Sequence, residues 1–459
     1  MKLKIILIVL CLVTFISCKK AYLNVIATSV FEGFDLWEDR PTGIACTNDT
    51  INEIGSEEEI SFEDDHMLCI QIKMDDSDFE TMRNESRFGP PIQEGTTVTA
   101  VLLEYLNQCD VPWPSEFNWY KGEVVIDGVV TNEIGIRKKG FFGSIFSTAP
   151  SIKINTDQYI ANQTIGKTRK ITLNNNAEDA SRIRTCLNFK VFELANYPAP
   201  RCNLSNVAIN DEPLGVYTHL EAVSDPFLQR AFGNNTGDLY EGQLVDFREE
   251  WLPRWAAKTE NTDAVGTPLL GIANALEMSD DEFLTEVEKH LNLDNYITFW
   301  AIEVLLDHVD GYASNRNNFY VYFDPNDDNR ATFIPWGLNY FSEGLGSKLQ
   351  GEDAAEFTSP LQGFLNAELP RRLSRIPSIT TKFENELTRL LQEVWDEPTL
   401  LNLVDNYAIQ IQTAQIDNNY NATITQLKQW IENRRETLEE LIELGLPQGN
   451  ENPSKNCSN

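Results

Sequence analysis

Residues 293–323 read LDNYITFWAIEVLLDHVDGYASNRNNFYVYF. The opening part, Leu293 to Leu306, is apolar on nearly every side, which predicts a helix buried in a core rather than one lying on a surface. Asp307-His308-Val309-Asp310-Gly311-Tyr312 follows at once, with Asn315, Asn317 and Asn318 close behind. A carboxylate at the end of a rigid core helix is placed to act as a general base or a metal ligand. Asparagine side chains nearby can ligate a hard cation through oxygen. The competing reading is a capped helix end with an Asx-rich turn. Beyond it, Phe319–Phe323 (FYVYF), then DPNDDNR, then Ala331–Pro335 read as a β-hairpin. The DPNDD tip lacks the glycine and the closing glutamate of an EF-hand loop.

Further helices are predicted on the C-terminal side, over Asp280–Leu291, Ile376–Val394, Pro398–Thr413 and Thr423–Leu444. Another covers Ala180–Ala195, where Ile183, Leu187, Val191 and Leu194 recur at helical spacing. Strands are predicted over His66–Lys73, Thr96–Leu106, Tyr120–Arg137 (two strands joined by an Asp127-Gly128 turn), Ser151–Asn155 and Arg169–Leu173, with a helix at Asp75–Asn84. A β-rich first half followed by helices predicts an α+β protein with two lobes.

The chain has 459 residues, with 37 Lys plus Arg against 70 Asp plus Glu, a formal charge of −33. Such a polyanion repels nucleic acid and anionic lipid, whose binding needs basic patches. The start, MKLKIILIVLCLVTFISC, has a basic head and an apolar run too short to span a bilayer. Residues 1–17 read as a signal peptide and Cys18 as a lipidated first residue of the lipoprotein type; an ordinary secretory peptide is the alternative. Either takes the chain out of the cytoplasm, with contact to a membrane only through a lipid on Cys18. Residues 18–65, including the acidic SEEEISFEDD, read as a tether or N-terminal extension. Residues 66–445 form the main domain, and 446–459 a polar tail. Outside the leader, Cys46, Cys69, Cys109, Cys186, Cys202 and Cys457 suit disulfides in an exported protein, with the pairing open and free buried thiols as the alternative. No zinc spacing, GxSxG elbow or P-loop occurs.

Arg137–Gly143 reads RKKGFFG. Gly140 and Gly143 between strands would let backbone amides approach a phosphate, and Lys138, Lys139 and Lys153 could neutralise it. The alternative is a hairpin turn with a solvated basic edge.

In order, GIRKKGFFG (135–143), APSIKI (149–154), ITLNNNAEDASRIR (171–184), NYPAPRCNLSNVAIN (196–210), LGVYTHLEAVSDPFLQRAFG (214–233), the 295–325 segment, FIPWGLNYF (333–341) and QWIENRRETLEELI (429–442) resemble the spore-coat protein H (CotH) kinase family, over about residues 66–445. The resemblance implies a two-lobed, atypical protein-kinase-like fold with ATP in the cleft. Lys153 matches a lysine that holds the nucleotide phosphates, and Asp310 a catalytic-loop aspartate. Asn318 falls where a metal ligand is useful, and Glu221 in the segment linking the lobes, near the nucleotide. After the Ile-Pro-Trp segment the family commonly places a magnesium-binding aspartate; here Gly337 and Asn339 occupy those positions. Asn339 offers a carbonyl oxygen but no charge, and Glu343 or Asp307 are substitutes. Phe141 and Phe142 make the phosphate loop bulkier than is common in the family.

The resemblance implies an exported CotH-type kinase that transfers the γ-phosphate of ATP, with Mg²⁺ (Mn²⁺ the alternative cofactor), to Ser or Thr of envelope or secreted proteins, with the changed Gly337 and Asn339 pointing to impairment at its metal site. The alternative is a catalytically inactive surface protein that binds or adheres to a partner. A structural envelope component ranks behind both.

Overall fold

The computed structural model describes residues 42–46, 54–55, 58–87, 108, 110–114, 117–140, 147, 149–339 and 360–450. The leader with Cys18, the Thr96–Leu106 strand, Phe141, Phe142, Gly143, Cys109, Glu343, Cys457 and the last nine residues of the tail lie outside them.

The chain is a mixture of strands and helices. Seven strands close into a ring: β1 (Leu68–Met74), β2 (Tyr120–Ile126), β3 (Val129–Lys139), β4 (Ser151–Asn155), β5 (Lys170–Asn174), β6 (Cys202–Ile209) and β7 (Glu212–Leu220). The ring order is β1-β2-β3-β4-β5-β7-β6, and β6 returns parallel to β1. Alternation explains its interior: Val124, Ile126, Ile134, Ile136, Ile152, Ile154, Ile171, Leu173, Val207 and Ile209 meet in one apolar cluster. The β2–β3 turn falls on Asp127-Gly128, both with positive φ (47° and 90°), as a two-residue hairpin requires. Asp127 is held there by the Cys69 amide at 2.8 Å and the His66 ring at 2.8 Å.

A second sheet has the order β9-β8-β10-β11, built from β8 (Leu239–Gly242), β9 (Ala256–Ala257), β10 (Phe319–Asp324) and β11 (Arg330–Pro335). Its β10–β11 pair is the hairpin read from FYVYF.

The helices are α1 (Asp76–Asn84), α2 (Arg184–Leu194), α3 (Asp225–Phe232), α4 (Thr267–Leu276), α5 (Asp280–Val287), α6 (Leu293–Leu305), α7 (Tyr312–Asn315), α8 (Glu368–Leu373), α9 (Pro377–Glu393), α10 (Glu397–Ala414) and α11 (Tyr420–Leu444). Two are shorter than their sequence patterns predict. α2 starts at Arg184 rather than Ala180, because Asp179 folds the preceding residues into a tight turn by accepting from the Ser181 amide, the Ser181 hydroxyl and the Arg184 amide. α5 ends at Val287 rather than Leu291.

α6 is buried as expected, with Tyr296, Phe299 and Trp300 packed against Phe333 and Phe383. Backbone amides reach some of its last carbonyls, Asp307 N donating to Val304 O at 3.1 Å and His308 N to Glu303 O at 2.8 Å, and a helix end inside the protein needs the rest satisfied too. Arg434, from α11, completes this end by donating to Val304 O and, at 2.8 Å, to Leu305 O.

The acidic segment before residue 66 is not a free tether where it is described. Thr42–Gly43 pairs with Gln415–Ile416, and Ile60 is buried in the ring's core. Phe62 stacks on His219 with centroids 4.4 Å apart. Among the described residues two disulfides form, Cys46–Cys69 and Cys186–Cys202. Among the described residues no helix is long and apolar enough to cross a membrane.

Cys186–Cys202 closes a loop of sequence separation 16 and joins α2 to β6. A crosslink of that loop length stabilises by about 3 kcal/mol through the unfolded chain. The Cys186→Ala/Cys202→Ala chain is expected to unfold at correspondingly lower urea in equilibrium denaturation. An unchanged midpoint would contradict the pairing.

Candidate functional site

The site begins where α6 ends. Glu303 is buried and accepts from the backbone amides of Tyr312 (2.7 Å) and Ala313 (2.9 Å), so the chain after the helix is pinned back against it. Gly311 makes this turn possible, since a Cβ there would overlap the Glu303 carboxylate. Burial pushes the Glu303 carboxyl up to about 8, against the opposing pull of the two amides.

The pinned loop presents Asp310. Its carboxylate accepts from Asn315 Nδ2 (2.6 Å), Asn318 Nδ2 (2.6 Å) and, at 3.3 Å to each oxygen, Asn317 Nδ2. Desolvation raises the Asp310 pKa and the three amides counter it. Asp310 nonetheless keeps some accessible surface as a residue. Asn317 is nine-tenths buried, and its Oδ1 accepts no hydrogen bond. Asn318 is held with positive φ (55°), and its carbonyl accepts from the Trp336 amide at 3.2 Å. Gly337 follows with φ of 56°, and a Cβ there would overlap the Asn318 amide group.

Across from Asp310, Asn339 Nδ2 donates to Glu178 Oε2 at 2.8 Å. Glu178 lies between β5 and α2, in the NNNAEDAS stretch. Burial, then the charge of Asp310, push its carboxyl up to about 7, with the Asn339 bond working against them. The two carboxylates therefore feel each other directly. Sequence reasoning did not single out Glu178; the only signal was its place in a segment that resembles the family.

The cations come from one face of the ring. Lys139 and Lys153 lie opposite Ser151 and Arg137 respectively in the β3–β4 register, on the side away from Ile136 and Ile152. Lys139 Nζ donates to Asn174 Oδ1 at 3.3 Å and stands 6.0 Å from the Trp336 ring centroid. Burial and then the charge of Lys153 lower its pKa to about 7, against the attraction of Glu241. Lys138 points to the other side and is structural: it donates to the carbonyls of Arg83 (2.7 Å) and Glu85 (3.0 Å). Gly140, at the end of β3, has φ of 122°, a conformation that favours glycine.

Thus Lys139, Asn318 and Asp310 are linked through Trp336, Lys153 bears electrostatically on Lys139, and Asn339, two residues beyond Gly337, holds Glu178. Glu221 is engaged elsewhere. Its oxygens accept from Arg201 (2.9 Å) and from Arg230 (2.9 and 2.6 Å). Burial alone would raise its pKa, but Arg230 and Arg201 bring it below the ordinary value. Asp307 has φ of 53° and bears electrostatically on Arg434.

Among the described residues no three His, Cys, Asp or Glu side chains are grouped to hold a metal. The oxygen donors present are two carboxylates and several amides, a set suited to a hard cation rather than to zinc.

The family model described as CotH kinase protein matches residues 136–438. That is well over half of the sequence, and the chain belongs to this family. Among curated proteins it is similar to "Spore coat protein homolog 1" of Rhizopus delemar, 24% identical over 53% of this chain and 41% of that protein. It is similar to "Invasin CotH2" of the same organism, 23% identical over 52% of this chain and 44% of that one. It is also similar to "Inner spore coat protein H" of Bacillus subtilis, 24% identical over 49% of this chain and 62% of that protein. The chain therefore spans about two fifths to three fifths of the relatives it matches. Among solved structures, the complex of Shewanella oneidensis HipA, HipB and operator DNA is matched at 8% identity with a TM-score of 0.31, over 68% of this chain and 65% of that one.

Glu303 makes a pH dependence calculable in sign. Its folded pKa of about 8 lies above the ordinary 4.5, so the protonated form favours the folded state. That contribution is complete below the ordinary carboxylate range and is lost as pH rises through about 8. Glu303→Gln, neutral throughout, is expected to flatten this part of the Tm-against-pH curve between those values. A curve parallel to that of the parent chain would show that Glu303 does not titrate there.

Proposed function

We propose that this chain is an atypical kinase that transfers the γ-phosphate of ATP to Ser or Thr hydroxyls of envelope or secreted proteins. The ring with β3 and β4 would form one lobe and the α6-centred helices the other, with the nucleotide between them. The observation that carries the reading is the constellation itself. A desolvated carboxylate in an amide cage is linked through Trp336 to Lys139, on which the charge of Lys153 bears, and both lysines are partly accessible.

Each part has a use in phosphoryl transfer. Lys139 and Lys153 carry positive charge that an incoming polyphosphate would neutralise, which relieves their mutual repulsion. Asp310 is fixed by three amides, so it can orient a hydroxyl and accept its proton as oxygen attacks the γ-phosphorus and the bond to the β-phosphate oxygen breaks. A divalent cation, Mg²⁺ or Mn²⁺, fits the donor set around Asp310, Asn318 and Asn339, and Asn317 Oδ1 is a buried oxygen without a partner there. When bound, the cation supplies charge stabilisation at the phosphates.

The names of the spore-coat and invasin relatives support work at an outer surface, as does the lipoprotein-type start of the sequence. The second reading is a surface-binding protein on the same fold. It is favoured by the neutral Gly337 and Asn339, where the family commonly carries an aspartate.

Calorimetry of the full chain with ATP, with and without Mg²⁺, separates the two. The kinase reading expects metal-dependent binding that Lys153→Ala weakens. It also expects Asp310→Asn, which is close in shape, to reduce phosphate transfer by about 10²–10⁴-fold while ATP still binds. No binding under any metal would leave the surface-binding reading.

A further inference from the structure

We infer that Glu178 supplies the negative charge of the cation site, binding a divalent metal together with Asp310 and the Asn317 amide oxygen in place of the acid that Gly337 and Asn339 lack. Neither of those two positions supplies a carboxylate. A side chain at Gly337 would overlap the Asn318 amide and would be held at positive φ. Asn339 is neutral, and its amide nitrogen is spent on Glu178. That same bond holds Glu178, from the β5–α2 loop, to the 336–339 segment, whose Gly337 lies against the Asn318 amide that grips Asp310.

Two further observations point to a missing partner. Glu178 and Asp310 are desolvated and repel each other, yet among the described residues neither is paired with a cationic side chain. Lys139 answers instead to Lys153 and Glu241. Desolvated like charges of this kind are costly unless something of opposite charge sits between them. In addition, Asn317 turns its nitrogen to Asp310 and leaves Oδ1 buried with no donor. A hard cation answers both at once, because it takes carboxylate and carbonyl oxygens without needing hydrogen.

This inference rests on the kinase reading only for the cation's purpose, so its test uses the metal alone. Mn²⁺ is titrated into the full chain and the free ion is followed by electron paramagnetic resonance, with thermal melting as the check on folding. The parent chain is expected to bind Mn²⁺. Glu178→Gln keeps an oxygen to accept from Asn339 but removes the charge, and is expected to weaken binding at least about tenfold, the lower end of the 10–100-fold seen when a supporting metal partner is lost. Adding Asn339→Asp to that variant moves the carboxylate to the other end of the same hydrogen bond, and is expected to recover most of the affinity. Equal Mn²⁺ binding by the parent and Glu178→Gln would overturn the inference, as would no binding by the parent. So would a folded double variant that stays weak, because Glu178 would then act through packing rather than charge. Mn²⁺ binding that needs Glu178, in a chain that takes no ATP, would overturn the kinase reading and leave this one standing. Metal-dependent ATP binding indifferent to Glu178 would do the reverse.

Discussion

The grip of Glu303 on the amides of Tyr312 and Ala313 is the constraint on which the site depends. α6 is a deeply buried helix of the core, and nothing in its sequence tells the chain where to go after Leu305. Arg434 satisfies the helix's last carbonyls from one side, and Glu303 reaches forward and fastens the first turn of α7 from the other. Between these two fixed points only a short loop is left, and Asp310 is in it. The orientation of Asp310 is therefore inherited from the rigidity of the core rather than from loop sequence alone. A carboxyl buried deeply enough to sit near a pKa of 8 is a costly fastener. It is tolerated because the alternative is two unpaired buried amides at the base of the site.

The groups around that loop are each held in an unfavourable ionisation environment. Lys139 is pushed down by burial and Lys153, and Glu178 is pushed up by burial and Asp310. A structural ion-pair network shows the opposite, and the contrast is visible within this chain. At Glu221 two guanidinium groups outweigh burial and lower the pKa. In one cluster opposite charges outweigh burial, and in the other burial and like charge act in the same direction. Perturbed groups concentrated in this way are characteristic of functional sites.

How far this could be read from sequence follows from what each residue's neighbours are. The buried α6, the Asx-rich loop and the FYVYF hairpin were legible because each is local: an all-round apolar run, a cluster of polar residues, and two β-rich runs about a turn. β6 was not, because every position from Cys202 to Ile209 is buried and the alternation that marks a strand is absent. The N-terminal acidic segment looked like a tether by composition. Ile60, hidden among acids, fills part of the ring's interior, and Phe62 stacks on His219. Glu221 sat in a promising segment, but its role was fixed by Arg201 and Arg230, whose approach no spacing rule announces. Glu178 is the sharpest case. It stands beside the buried Asp179 that shapes the start of α2, and only the fold brings it against Asn339 and within the electrostatic reach of Asp310, both more than a hundred residues away.

That last distance bears on how a site can lose an acid and keep its chemistry. A cation senses charge and oxygen donors, not the strand that carries them. At Gly337 the backbone turns through positive φ against the Asn318 amide, so this part of the loop is shaped for close approach and has no room for a carboxylate. Asn339 then does something an aspartate there could do only if one of the two acids were protonated: it donates a hydrogen bond to a glutamate arriving from the opposite side. The neutral residue and the displaced acid thus form one unit. An aspartate at 339 beside an unaltered Glu178 would place three carboxylates in one recess, whereas asparagine leaves two and orients one of them. On this physical ground the departure at Gly337 and Asn339 reads as a rearrangement of charge rather than its loss.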